Sequence, residues 1–224
     1  MVKKKKTIIL IVLIGCLIMG FIDAVIRPEY LIKSFIKILL FSIMPIMYSR
    51  YDKDLNLTSL FKVNSKKEII IAILSGAGIF TFILGAYFIL GNLFDFSNIV
   101  ASLSENVGVN NNNFIFVAIY ISFVNSLLEE FFFRGFAFLK LKEVANRKFA
   151  YIFSSLAFAL YHVAMMIGWF DISLFILTIV GLFIGGIIFN YFNEKYKNIY
   201  VTWLIHMFAN FAINYIGFML FNIV

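Results

Sequence analysis

Charge, cysteine and proline are all scarce in this chain. Only 14% of its 224 residues are charged, against about 25% in soluble domains, so the sequence cannot solvate a globular surface. A single cysteine excludes an intrachain disulfide framework, and two prolines exclude collagen-like and proline-rich architectures. Histidine occurs only twice. What is present is apolar: 62% of residues are hydrophobic and the mean hydropathy is +0.97. That places the chain in a lipid bilayer and excludes the disordered classes. The net charge of +7 would point to nucleic acid in a polar protein. Here it bears on membrane sidedness, and no nucleic-acid partner is expected.

Apolar runs long enough to cross a hydrocarbon core of about 30 Å occur seven times. They predict helices over Thr7 to Ile26, Tyr30 to Met47, Ile69 to Leu93, Phe114 to Leu139, Phe149 to Trp169, Ile172 to Phe192 and Ile199 to Phe221. The expected fold is therefore all-α and polytopic. The second run carries Lys33 and Lys37 in its first half and Pro45 near its end, so it reads as a span or as an interfacial helix with snorkelling lysines. With the N-terminus placed in the cytoplasm, 15 of the 19 basic residues fall in inside segments: Lys3 to Lys6, a basic loop over 49–67, Lys140 to Lys148, and Lys195 with Lys197. The opposite loops, Phe94 to Asn113 and Trp169 to Asp171, contain no lysine or arginine, as an outer face requires. The Asn110 to Asn113 run reads as a solvated part of that outer loop, and Gly181 with Gly185 as a close helix-packing face. Lys3 to Lys6 ahead of Leu13-Ile14-Gly15-Cys16 has the form of a lipoprotein signal, but the apolar run continues through Leu17, Ile18 and Met19 to Phe21, which suits an uncleaved helix better.

Ionisable groups inside spans are costly and mark functional sites. Glu129, Glu130 and Arg134 lie in the fourth span, His162 in the fifth and His206 in the seventh. At about 1.5 Å per residue, Glu129, His162, His206 and Asn210 lie roughly 10 to 20 Å above the cytoplasmic helix ends, in one layer. Glu130 and Arg134 are four apart with the acid first, the favourable order for an intrahelical ion pair. Glu129 then lacks an evident local cation. His206 and Asn210 are also four apart and present two hydrogen-bonding groups on one face. Phe158 precedes His162 by one turn and is placed to pack against its ring.

A carboxylate and an imidazole can together deprotonate a water, while a second imidazole and a carboxamide donate to the oxyanion of an attacked carbonyl. That is peptide hydrolysis without a covalent intermediate. A cysteine or serine nucleophile fits less well, since Cys16 has no nearby histidine and no G-x-S-x-G elbow occurs. Zinc held by Glu129, His162 and His206 is conceivable, but the H-E-x-x-H helix is absent and a metal-free site is preferred. Two further classes use the same residues: a non-catalytic binding or immunity protein with the polar layer as helix glue, and a proton-coupled transporter, which the absence of inverted repeats disfavours.

Glu129-Glu130-Phe131-Phe132-Phe133-Arg134 fits E-E-x-x-x-R, Phe158-Ala159-Leu160-Tyr161-His162 fits F-x-x-x-H, and His206-Met207-Phe208-Ala209-Asn210 fits H-x-x-x-N. In this order, each on its own hydrophobic segment, they resemble the three motifs of the CPBP (CAAX protease and bacteriocin-processing, or Abi) family of intramembrane endopeptidases, which includes the type II prenyl-protein proteases. The resemblance implies a glutamate-dependent protease in which Glu129 and His162 activate water, His206 and Asn210 stabilise the oxyanion, and Glu130 and Arg134 support them. It divides the chain into N-terminal membrane helices over 1–113 and a four-helix catalytic core over 114–224. It also implies a membrane-associated peptide or protein substrate. The bias towards Lys, Asn, Ile and Phe is typical of low-GC bacteria, so a prokaryotic plasma membrane and a role in peptide maturation or bacteriocin self-immunity are expected in preference to prenylated tails.

Overall fold

The structure is a computed structural model and describes residues 2–224. No strand occurs among the described residues. Eight helices carry the fold: α1 (Val2–Ile26), α2 (Tyr30–Tyr51), α3 (Lys66–Leu93), α4 (Ser97–Val107), α5 (Phe114–Val144), α6 (Arg147–Met166), α7 (Ile172–Tyr196) and α8 (Tyr200–Leu220). All but α4 are long and apolar enough to cross a membrane, and the protein is a multi-pass membrane protein of seven spans.

Local chemistry sets the boundaries. The Asn146 side chain accepts from the Lys148 and Phe149 amides to cap α6, and Asp171 accepts from Ser173 and Leu174 to cap α7. Lys197 closes α7 in the left-handed conformation, as Arg27 closes α1. The stretch expected to be an outer loop differs from a simple loop. Asp95 accepts from the Ser97 amide at 2.8 Å, α4 follows, and Gly108 at φ 69° ends it. The asparagine run after α4 is turn, with Asn113 and Asn110 bonding neighbouring amides.

Helix α2 is one continuous element of 22 residues, long and apolar enough to cross a membrane. Its lysines do not snorkel. Lys33 Nζ lies 2.5 Å from Asp23 Oδ1 on α1, and Lys37 is only 5% exposed. Pro45 is accommodated because the preceding residues, Leu39–Ile43, form π turns that change the backbone register ahead of the missing N–H.

The basic segments meet at one end of the bundle. Lys4 reaches Asp52 and Asp54 at 2.9 and 2.7 Å, and Arg147 and Lys142 converge on Glu194 at 2.6 and 3.0 Å. The Ile199 amide donates to Leu60 O, and Asn198 to Glu68. At the other end, Asn111 bonds Phe221 O and Ser102 bonds Gly168 O.

The core is aromatic and centred on α5. Phe41 of α2 stacks on Phe132 at 4.1 Å and meets Phe133 and Tyr161 edge-on. Residues Glu130–Lys140 of α5 are π-helical and buried throughout. Gly181 and Gly185 are not the packing glycines of α7. Nothing lies within 4 Å of a Cβ built on either, whereas one on Gly186 would stand 2.9 Å from Ser155 Cβ. The close α6 to α7 contact therefore falls one residue further along than the G-x-x-x-G spacing predicts.

Candidate active site

Helix α5 changes character at the first motif. Ser126–Glu129 is α-helical, and Glu130 begins the π-helical stretch, a wider turn frequent at functional sites. Both motif carboxylates point into the bundle, Glu129 being 2% and Glu130 0% exposed. Arg134 is fully buried beside Glu130, with Nε 3.7 Å from Oε1, so the ion pair expected from the spacing is present. The guanidinium also lies over two rings, 3.9 Å from the Phe158 centroid and 5.1 Å from Phe189.

His206 of α8 reaches both carboxylates. Its Nδ1 bonds Glu130 Oε1 at 3.0 Å, and a carboxylate accepts, so Nδ1 carries the hydrogen and Nε2 is the outer nitrogen. Nε2 lies 3.8 Å from Glu129 Oε2, beyond a direct hydrogen bond. A small polar group about 2.8 Å from each would bridge them.

His162 of α6 is half-buried, and its Nδ1 donates to Phe158 O at 2.7 Å. Among the described residues its Nε2 has no hydrogen-bond partner, which leaves a lone pair available. Phe158 links the imidazoles, with ring centroids 4.8 Å from His162 and 6.1 Å from His206. Asn210 is buried on α8, but its amide donates to Ile121 O at 3.2 Å, in the π segment Ile121–Asn125. The second N–H of that amide is uncommitted. Asn210 thus lies apart from the hydrogen bonds that join His206 to Glu130.

Glu129 does have a cation, and it comes from outside the motifs. Lys37 Nζ lies 2.6 Å from Glu129 Oε1, and Asn125 donates to the same oxygen at 3.0 Å. Asn125 Oδ1 in turn accepts from Lys37 Nζ. Asn125 thus sits against the carboxylate one turn before it on the same helix. Two lysines one turn apart within an apolar run were the available signal, since a charge inside a span needs a partner. Other polar residues of the spans bond between or within helices: Ser154 donates to Phe133 O, Asn214 to Ala118 O, Ser126 to Ser122 O, and Ser155 accepts from Asn190.

Residues 111–212 match the family model described as type II CAAX prenyl endopeptidase Rce1-like. Over these residues the chain is similar to the CAAX protease family. The segment contains all three motifs and extends from the asparagine turn after α4 to Ala212 in α8. No curated protein and no solved structure matches the chain. The matched segment includes Asn125 but not Lys37, which reaches the site from a helix outside it.

Among the described residues, no group of three histidine, cysteine or carboxylate side chains is placed to hold a metal ion.

Proposed function

We propose that the chain is an intramembrane glutamate-dependent endopeptidase that hydrolyses a peptide bond in a membrane-associated peptide or protein. The observation that carries this reading is the facing pair Glu129 Oε2 and His206 Nε2, 3.8 Å apart in a buried site bordered by His162. On this reading Glu129 takes a proton from a water as its oxygen attacks the substrate carbonyl, and His162 orients that water through its unpaired nitrogen. The carbonyl oxygen becomes an oxyanion, which His206 and the second N–H of Asn210 stabilise. His206 is suited to this, because a carboxylate behind Nδ1 supports positive charge on the ring. The proton held by Glu129 then passes to the departing amine as the C–N bond breaks.

The four-helix part, 114–224, is the catalytic core in this reading, and 1–113 supplies flanking helices. The N-terminus and the basic end face the cytoplasm of a prokaryotic plasma membrane, and the substrate is a small membrane peptide or membrane protein of the maturation or self-immunity kind.

The buried Lys37 pair gives some support to a second reading, in which the polar layer only joins helices in a binding or immunity protein. One comparison separates the two. New peptide termini are catalogued in cells producing the wild type or Glu129→Gln at equal membrane abundance, and again with purified protein with and without a chelator. Endopeptidase activity predicts fragments found only with the wild type and resistant to chelation. Identical peptidomes with the host phenotype retained would replace hydrolysis by binding.

A further inference from the structure

The Glu129 carboxylate is asymmetric in its surroundings. Oε1 receives two donors, Lys37 Nζ at 2.6 Å and Asn125 Nδ2 at 3.0 Å, whereas Oε2 faces only His206 Nε2 across 3.8 Å. The ammonium is itself engaged. One N–H points to Glu129, another to Asn125 Oδ1, and the nitrogen lies 4.9 Å from the Tyr161 ring centroid and 5.4 Å from that of Phe41. Lys37 therefore has two of its N–H groups committed to Glu129 and Asn125 and its charge against two aromatic rings, which suits it to hold Glu129. The adjacent charge on α2, Lys33, is taken by Asp23, so it does not compete for Glu129.

Holding one oxygen of a carboxylate with two donors fixes its plane and its χ angles, and dedicates the other oxygen to whatever enters the gap. We infer that Lys37, together with Asn125, is a positioning residue that binds Glu129 Oε1 and so reserves Oε2 for the reaction. This rests on the endopeptidase reading for its catalytic consequence, but the clamp itself does not. Helix α2 lies outside the matched segment, and the site is incomplete without it.

The clamp makes a chemical prediction of its own. A buried carboxylate stripped of its cation takes up a proton, and a protonated intramembrane carboxyl reacts with the apolar reagent dicyclohexylcarbodiimide, whereas a carboxylate held in an ion pair does not. Full-length wild type, Lys37→Met, Lys37→Gln and Glu129→Gln are purified in detergent, treated with the reagent at neutral pH, and mapped by mass spectrometry. Thermal melts monitor folding, and the peptidome of cells producing each variant is compared with that of the wild type. The expected result is label at Glu129 rising about tenfold or more in the Lys37 variants, none at position 129 in Glu129→Gln, and fragment yield falling about a hundredfold or more with Lys37→Met. Should Lys37→Met not fold, Lys37→Gln, which keeps a donor near Oε1 without the charge, carries the same labelling comparison. Folded Lys37 variants that stay unlabelled overturn the clamp. Labelled variants that still yield wild-type fragments overturn its positioning role. If Glu129→Gln leaves the peptidome unchanged, the endopeptidase reading fails, and the labelling still decides whether Lys37 holds Glu129.

Discussion

Glu130 Oε1 accepts from His206 Nδ1 at 3.0 Å, and this one bond turns the outer nitrogen of the imidazole towards Glu129. The acid that follows Glu129 in sequence therefore aims a residue 76 positions away. Glu130→Gln keeps the shape of the side chain and removes its charge. It is expected to lower fragment production per folded molecule by a factor on the order of 10² to 10⁴, because the ring loses the carboxylate that supports its positive form, and to lower the melting midpoint as well, because Arg134 is left buried without its anion. Wild-type fragment yield from a folded Glu130→Gln protein would remove Glu130 from the machinery.

Arg134 has a different role, because it is wholly buried and stacks on Phe158 and Phe189 while pairing with Glu130. Arg134→Met would leave Glu130 buried without its cation, at an expected cost of about 3–5 kcal/mol. Arg134→Lys should recover only part of that, since an ammonium is a point charge and cannot lie flat between two rings. Equilibrium unfolding in mixed detergent micelles measures both. A loss of less than about 1 kcal/mol for Arg134→Met would show that the pair is not structural.

Asp52 lies just beyond the end of α2, where Lys4 hydrogen-bonds it and holds its carboxyl below the ordinary carboxylate range, with the Tyr48 hydroxyl as a weaker donor. A group whose folded-state value is depressed contributes stability above its unfolded value and loses that contribution as pH falls through the folded value. The tether between α1 and the segment after α2 should therefore be intact at neutral pH and loosen in acid, below the ordinary carboxylate range. Limited proteolysis at residues 52–57 across a pH series would show cleavage rising on acidification. Asp52→Asn should be cleaved more readily at neutral pH, with a flatter profile.

The sequence made the spans and the polar layer readable because both depend on local arithmetic: run length fixes a span, and depth follows from residues per turn. The Glu130 to Arg134 pair was equally accessible, being four apart on one helix. Lys37 was not. Its partner lies 92 residues away, and the same pattern of lysines in an apolar run describes a snorkelling helix as well as a buried ion pair. Asn125 was hidden for a related reason, since a carboxamide in a span satisfies a carbonyl and a carboxylate equally well. The engagement of Asn210 with Ile121 O depends on the π turns at Ile121–Asn125, for which the sequence has no distinct signature.

The glycines of α7 offer a test of packing that spacing alone assigns wrongly. A Cβ on Gly186 would meet Ser155 at Cβ, Cα and Oγ, at 2.9, 3.0 and 3.1 Å, and one of those atoms is backbone. The neighbour cannot rotate away, so Gly186→Ala must push α6 and α7 apart. That movement reaches the site, because Ser155 accepts from Asn190, Ser154 donates to Phe133 O, and Phe158 lies one turn further along α6. Gly186→Ala is expected to cost about 1–3 kcal/mol, as overpacking does, and to reduce activity with it. Gly181→Ala and Gly185→Ala meet nothing and should change stability by no more than about 0.5 kcal/mol, even though they, and not Gly186, form the G-x-x-x-G pair. Unfolding midpoints of the three single variants, measured side by side, decide the matter. If Gly181→Ala or Gly185→Ala were the damaging change, their open faces would have to be covered in the assembled protein.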